Sequence, residues 1–177
     1  MGAAIRACTS ADDAAWRALR CRMYPHHDVA ELVAEMADLC TQPARYGQFV
    51  ATDDDGDALG FVEVSVRSDY VVGTSTSPVA FLETIFVVPA ARRQGVERAL
   101  VAQARAWGRA RGCTEFASDA LLDNVASHAL HRALGFEETG RIVCFPSRWT
   151  SEPGPRIAAL TAEQRVLRVA TSSKAAR

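Results

Sequence analysis

Lysine is almost absent from this sequence: Lys174 is the only one, and arginine supplies the other cationic side chains. The formal net charge is −1, so no global field of either sign draws the chain to nucleic acid or to an anionic membrane. No apolar run reaches the roughly 20 residues of a membrane-spanning helix, and residues 1–9 contain no apolar signal-peptide core. We therefore expect a cytoplasmic protein that binds neither nucleic acid nor membrane.

Two motif classes are also missing. The five cysteines are scattered and contain no Cys-x-x-Cys pair, which favours small buried thiols in a reducing compartment over disulfides and metal ligation. Gly-x-Gly-x-x-Gly is absent as well, so a dinucleotide site is the weaker interpretation of any glycine turn. With 177 residues and 49% hydrophobic content, the chain has the size of one domain with a real core.

Hydrophobic periodicity, caps and breakers predict a mixed α/β domain in the order βααβββαβαβ. The predicted strands are 5–9, 48–52, 59–66, 79–88, 115–118 and 141–145. The predicted helices are 11–23, capped by Ser10, a second one capped by Asp28, then 96–111 and 124–134.

The composition changes near Pro146, where a segment rich in proline, glycine and serine begins. We expect residues 1–146 to form the domain and residues 147–177 to form an irregular extension. Spacing from Ile157 to Leu167 favours one weakly amphipathic helix there, and residues 171–177 are expected to be a disordered tail.

The stretch 81–97 is the most informative part of the chain. An apolar strand ends at Pro89, an arginine- and glycine-containing turn follows, and a helical pattern begins at Val96. The first N–H groups of a helix lack intrahelical partners, and the helix dipole favours an anion there. Gly95 allows close approach to the backbone and Arg93 supplies charge. The pattern predicts a site for a phosphorylated ligand.

The same turn, with Asn124-x-x-Ser127 leading into Leu134-Gly135-Phe136, resembles the GNAT superfamily of acetyl-CoA-dependent N-acetyltransferases. Ser68-Asp69-Tyr70 and the segments 77–87, 117–119 and 134–139 are similar to the aminoglycoside 6'-N-acetyltransferases of bacterial resistance, a likeness that covers about residues 5–145. It implies a mostly antiparallel central sheet flanked by helices, a homodimer, acetyl-CoA as cosubstrate and no metal. The acetyl-CoA residues that it implies are Ile85, Phe86, Val87, Arg93, Gln94, Gly95, Val96, Glu97, Arg98 and Asn124.

The resemblance also implies an acceptor site for a polycationic aminoglycoside, formed by Tyr24, His27, Tyr70, Glu83 and Asp119. Glu83 is the only charge in its apolar strand, so it must be paired or face a cleft; the alternative is a core ion pair with an arginine. Asp119 follows a strand, where open α/β sheets place ligands, and otherwise caps a loop. We expect Glu83 and Asp119 to serve as catalytic carboxylates. Tyr24 and His27 are equally consistent with a helix-breaking turn around a half-buried aromatic ring.

Five positions depart from the family pattern, among them Tyr24, where Trp is usual. Glu97 stands where Gly or Ala is usual, near the expected phosphates, and Gly140 replaces an acid that often contacts the aminoglycoside. The tyrosine positions that carry a general acid in many GNAT enzymes hold His131 and Phe145, and His131 is interpreted as a packing or hydrogen-bonding residue. Gly140 and Tyr24 leave open the acetylation of another amine, such as a polyamine or a peptide N-terminus. Glu97 and Phe145 leave open a non-catalytic acyl-CoA sensor.

Overall fold

The computed structural model describes residues 3–145 and 168–169. Its strands are β1 (Ala4–Ala7), β2 (Tyr46–Thr52), β3 (Ala58–Arg67), β4 (Val79–Val87), β5 (Phe116–Ala117) and β6 (Arg168–Val169). Its helices are α1 (Ala14–Met23), α2 (Val29–Thr41), α3 (Val96–Arg109) and α4 (Val125–Ala133). The sheet has the order β1-β2-β3-β4-β5, with β6 paired to β4. The first four strands are antiparallel, whereas β5 and β6 run parallel to β4. The predicted fold class is confirmed.

Helix caps decide where α1 and α2 begin. Asp28 caps α2 as predicted, since its carboxylate accepts hydrogen bonds from first-turn N–H groups. The prediction for α1 was wrong: its cap is Asp13, which accepts from the Trp16 N–H at 3.0 Å. Ser10 instead accepts from the backbone N–H of Asp12 at 3.1 Å and closes a turn before the helix. The first helical residue therefore comes later than the sequence suggested.

The sheet is covered on both faces. On one face, the indole N–H of Trp16 in α1 donates to Glu63 in β3 at 2.9 Å. On the other, α3 places the Trp107 ring against Gly47 of β2, where an added Cβ would lie 2.6 Å from the ring. Gly47 pairs with Val64, whose side chain points away from the Glu63 face because successive strand residues alternate. The two helices therefore enclose the central strands, and glycine at position 47 makes room for the indole.

A buried ion pair lies between α1 and β3. The Arg20 guanidinium is 3% exposed and donates to Glu63 at 2.7 Å. Its other terminal nitrogen pairs with Glu35 of α2. Because it bridges three elements, Arg20 fixes the α1–α2 pair on the sheet, and its removal would leave Glu63 buried with only the Trp16 bond.

The strand expected at 141–145 is absent, and that prediction was wrong. These residues have no regular structure, and their apolar side chains are exposed, including Ile142, Val143 and Phe145. A strand needs a neighbouring edge, and β5 offers only two residues for pairing. β6 lies inside the extension that was expected to be irregular, whereas the helix expected at 157–167 and the tail 171–177 fall outside the described residues. No helix in the described ranges is long and apolar enough to cross a membrane.

Candidate active site

Strands β4 and β5 separate in the middle of the sheet. They pair only where Ala80 and Phe81 face the two residues of β5. One residue beyond β5, the Ser118 hydroxyl lies 3.2 Å from the Leu82 carbonyl oxygen. Within residues 3–145 and 168–169, the remaining edge of β4 pairs with β6 at Thr84 and Ile85 and with no other strand. Parallel strands that separate in this way leave backbone N–H and C=O groups to bind a ligand or another strand.

That edge leads directly into the predicted phosphate turn. Arg93 and Gly95 have φ angles of 60° and 87°, both in the left-handed region. Gly95 is the N-cap of α3, and a Cβ added there would meet nothing within 4 Å, so conformation and not space demands glycine. The first intrahelical bond runs from the Ala99 N–H to the Gly95 carbonyl. The N–H groups of residues 96–98 therefore lack partners within α3 and point toward the turn.

Two side chains of the turn donate hydrogen bonds to nearby backbone carbonyl groups. The Arg92 guanidinium donates to the Val87 carbonyl at 3.0 Å, and the Gln94 amide donates to the Ala90 carbonyl at 2.7 Å. Arg93 and Arg98 are exposed and Glu97 is half-buried in the first turn of α3. The predicted residues 85–87 are buried at the end of β4, and the predicted residues 93–98 follow them in the turn and the first turn of α3. The structure also places a carboxylate at the anion-binding end of the helix.

Glu83 occupies a β-bulge. Glu63 of β3 pairs with Thr84 and the next residue pairs with Leu82, so Glu83 has no partner in the ladder. Its carboxylate accepts from the Arg67 guanidinium at 2.8, 2.9 and 3.1 Å and from the Ser65 hydroxyl. The ion-pair alternative is therefore present, but at a half-exposed site and not in the core. Bulges of this kind are common beside active sites because they redirect one side chain.

A cavity of about 570 Å³ lies next to this ion pair. Arg67 lines it, together with the exposed Tyr70 and Asp119. Acids and bases of the segment after α4, among them Glu138 and Arg141, complete its wall. Two of the predicted acceptor residues are thus brought together on one cavity of mixed charge. Glu83 is connected to it through Arg67.

Tyr24 and His27 lie elsewhere, at the end of α1. Their rings meet edge to face at 5.3 Å between centroids, and the Arg20 guanidinium lies 5.7 Å from the Tyr24 ring. Tyr24 is only 8% exposed. Neither residue lines the cavity, which fits the interpretation of a turn around a buried ring. Their role as a wall for a sugar stays a prediction.

The helix α4 contributes a histidine at the cavity. Asn124, a predicted acetyl-CoA residue, caps this helix and accepts from the Ser127 N–H at 3.0 Å. The two ring nitrogens of His131 contact the Ser127 carbonyl at 2.7 Å and the Ser118 hydroxyl at 2.9 Å. Burial lowers the pKa of His131 from its usual value, and the hydrogen bond to Ser127 opposes that shift. His131 is therefore hydrogen-bonded as expected, but its partner Ser118 was not anticipated.

Sequence reasoning missed Arg67 and Ser118. Arg67 stood at the boundary between a predicted strand and a polar loop, and Ser118 ended a short strand without any motif of its own. Their roles become apparent only in the folded chain, where Arg67 contacts Glu83 and Ser118 contacts His131. Among the described residues, no group of three or more His, Cys, Asp or Glu side chains is arranged to hold a metal ion.

Known proteins with this architecture are acetyltransferases. Residues 13–136 match the family model of the acetyltransferase (GNAT) family. The chain is 52% identical over 130 residues to aminoglycoside N(6')-acetyltransferase type 1 of Acinetobacter baumannii, covering 73% of this chain and 88% of that protein. It is 48% identical over 143 residues to the enzyme of the same name from Stenotrophomonas maltophilia, covering 80% and 90%.

Solved structures agree with the sequence relatives. The aminoglycoside 6'-N-acetyltransferase AAC(6')-Ih of A. baumannii superposes with a TM-score of 0.79 at 47% identity, over 84% of this chain and 99% of that one. AAC(6')-Iy, solved with the bisubstrate analogue CoA-S-monomethyl-acetylneamine, also gives 0.79, at 39% identity over 84% and 100%. The divergent β4 edge, the left-handed glycine turn and these relatives lead to one conclusion: the chain belongs to the GNAT acetyltransferase family, in the group of the aminoglycoside 6'-N-acetyltransferases.

Proposed function

We propose that the protein transfers acetyl from acetyl-CoA to the 6'-amine of aminoglycosides by direct attack of the amine. The observation that carries the proposal is the divergence of β5 from β4, because β4 leads through the Gly95 turn into α3 and its Glu83 pairs with Arg67 on the wall of an acid-bearing cavity. AAC(6')-Iy, which shares this fold, was solved with a ligand that joins CoA to an acetylated aminoglycoside fragment. Acetyl-CoA is accordingly the cosubstrate, and no metal takes part.

The residues of the chain fit such a cosubstrate. Backbone groups of residues 85–87 would pair with the pantetheine amides as an added strand does. The pyrophosphate would accept from the N–H groups at the start of α3, next to Arg93 and Arg98. Asn124 caps the helix that closes this side of the site. Glu97 is the one residue of this set that repels the pyrophosphate, because its carboxylate lies at the same end of α3.

Transfer needs a neutral amine, a proton acceptor and a donor for the thioester oxygen. Carboxylates attract the polycationic substrate, and Asp119 on the cavity and Glu83 beside it supply them. The backbone N–H groups near Phe86 and Val87 are the donors for the developing oxyanion. Tyr24 and His27 are retained as the proposed wall for the sugar ring. No nucleophilic side chain is required, so no acyl-enzyme forms.

The same assay tests this function and its main competitor. Release of free thiol from acetyl-CoA is followed with kanamycin-type drugs, with their 6'-hydroxyl analogues and with polyamines. Turnover confined to 6'-amino compounds is the expected result. Turnover with polyamines alone favours a different amine as substrate, which the Glu83–Arg67 ion pair and Gly140 support because both reduce the negative charge available at the cavity. Binding of CoA without any turnover indicates a sensor.

We also propose a cytoplasmic homodimer. The five cysteines are all free thiols, as expected in a reducing compartment. The segment 141–145 exposes Ile142 (66%), Val143 (76%) and Phe145 (88%) side by side. Exposed apolar clusters of this kind mark surfaces that another chain covers. Analytical ultracentrifugation should give twice the monomer mass, and Phe145→Asp should shift the equilibrium toward the monomer.

A further inference from the structure

A chain of hydrogen bonds runs from α4 to β4 across the point where β4 and β5 separate. It begins at the Ser127 carbonyl, which lies 2.7 Å from Nδ1 of His131. Nε2 of the same ring lies 2.9 Å from the Ser118 hydroxyl oxygen, and that oxygen lies 3.2 Å from the Leu82 carbonyl. The chain thus links a titratable ring to the strand that the proposed function assigns to acetyl-CoA.

The number of hydrogens in this chain depends on the charge of His131. A carbonyl only accepts, so Nδ1 carries a hydrogen and donates to Ser127. In the neutral ring Nε2 is then an acceptor, and the single Ser118 hydrogen is directed to it. In the charged ring Nε2–H donates to Ser118, whose own hydrogen turns to the Leu82 carbonyl. The Ser118 hydroxyl therefore gives Nε2 of His131 a path for a proton in either direction.

The resting state of His131 suits a proton acceptor. The ring is partly buried, packs edge to face on Phe136 at 5.1 Å, and its pKa is lowered by that burial. The charged groups around it are Asp119 after β5, which favours the charged ring, and His128 on α4, which opposes it. From α3, the Arg105 guanidinium lies over the Phe136 ring at 5.3 Å.

Ser118 lies beside both the cavity and β4. It lines the cavity, and its hydroxyl contacts the Leu82 carbonyl of β4. Its hydroxyl therefore lies between the proposed acceptor cavity and the strand assigned to pantetheine. Leu82, its partner, directly precedes Glu83 in β4.

We propose that Ser118 and His131 shuttle the proton of the attacking amine to the departing thiolate. The inference rests on the proposed acetyl transfer. After a carboxylate has taken the ammonium proton, the neutral amine nitrogen bonds to the thioester carbonyl carbon. The excess N–H proton of this adduct passes to the Ser118 oxygen, and the Ser118 hydrogen passes to Nε2 of His131. The C–S bond then breaks with its electron pair on sulfur. The sulfur takes a proton from Ser118, which regains one from Nε2, so His131 ends neutral and no co-reactant is consumed.

Two pairs of variants test the shuttle with the full-length protein and a confirmed aminoglycoside substrate. Ser118→Ala is expected to lower kcat about 100-fold with KM for both substrates within about twofold, because proton transfer and not binding is lost. Ser118→Thr retains the hydroxyl and should restore most of the rate. His131→Gln should lower kcat similarly and remove the acidic limb of the pH–kcat profile, whereas His128→Gln should leave that limb in place.

A measurement on the unmodified protein does not depend on activity or on variant folding. The ¹⁵N shifts of His131 should show a neutral Nδ1–H tautomer at pH 7. An Nε2–H tautomer, or Ser118→Ala turnover within twofold of wild type at every pH, would overturn the shuttle and leave the proposed function intact. Wild-type protein without any thiol release would overturn the proposed function, and the shuttle with it.

Discussion

The guanidinium of Arg67 donates to both carboxylate oxygens of Glu83, at 2.9 and 2.8 Å. The same guanidinium lies 3.3 Å from the centroid of the Phe81 ring, so its position is fixed from two sides. Glu83 is therefore held at the edge of the cavity by a residue of opposite charge. A cationic substrate that binds Glu83 must share it with Arg67.

Glu83→Gln should lower kcat/KM for the aminoglycoside about 100-fold, because the substrate loses a carboxylate that attracts and deprotonates it. The affinity for acetyl-CoA, measured by calorimetry, should change less than twofold. Arg67→Met is the matched variant, since it retains packing on Phe81 and removes the competing cation. It should lower KM for the aminoglycoside about fivefold, corresponding to roughly 1 kcal/mol, the upper value for a solvent-exposed ion pair. A larger effect of Glu83→Gln on acetyl-CoA binding than on turnover would contradict this role.

Glu97→Ala should tighten acetyl-CoA binding. Its carboxylate lies in the first turn of α3, where the proposed pyrophosphate binds, and removing it relieves repulsion. The dissociation constant should fall about 3- to 10-fold at low ionic strength, with a smaller gain in 1 M salt, where the Debye length is about 3 Å. Glu31→Ala, in the first turn of α2, serves as the control and should leave the constant unchanged. Weaker binding by Glu97→Ala would show that this carboxylate supports the site.

Arg20→Leu should destabilise the fold by about 3–5 kcal/mol, because it leaves the Glu63 carboxylate buried without its cation. Urea denaturation measures the free energy of unfolding. Replacing both Arg20 and Glu63 with leucine should recover much of that loss. Arg22→Leu, on the exposed side of α1, should lie within about 0.5 kcal/mol of wild type. Equal effects of the two arginine variants would argue against a buried ion pair.

Asp13 should make the fold sensitive to acid. Its hydrogen bonds with Arg6 lower the pKa of the carboxyl to about 2, from 3.8. A lowered pKa stabilises the fold above the unfolded value, and this contribution is lost as pH falls from about 4 toward 2. Since Arg6 is about half exposed, we expect about 1–2 kcal/mol. Asp13→Asn retains the helix cap and should flatten the dependence of unfolding free energy on pH in this window. Asp12→Asn should leave it as steep as in wild type.

Removal of residues 147–177 should lower the KM for acetyl-CoA several-fold. β6 pairs with Thr84 and Ile85, on the same edge of β4 that the pantetheine arm is proposed to use, so the two compete. A shorter truncation, of residues 171–177, leaves β6 in place and should leave KM unchanged. If the two truncations behave alike, β6 does not compete with the cosubstrate.

Local chemistry explains what the sequence predicted well. Asp28 caps α2, and Gly95 takes the left-handed turn before α3, because the residues that determine these features lie within one turn of them. The start of α1 was missed because Ser10 and Asp13 are both good caps. The choice between them depends on Arg6 in β1, whose position is set by pairing with β2.

Non-local pairing accounts for the rest. Arg67 contacts Glu83 because of the register of β3 and β4. That register includes a bulge that no sequence pattern predicted. Ser118 acquires its role only because β5 ends beside Leu82 and α4 places His131 within reach. The strand expected at 141–145 had the right composition, but β5 offers only two residues for it to pair with.

The pairing of β6 with β4 shows that the proposed acetyl-CoA edge accepts an ordinary peptide backbone. An extended peptide copied from residues 166–171 would thus be a starting point for an inhibitor of this enzyme that resembles no antibiotic. It would act against the cosubstrate and not against the drug, so its potency should not depend on which aminoglycoside the cell must survive. Resistance that persists when the antibiotic is chemically modified would therefore still be sensitive to an inhibitor that binds this edge of β4.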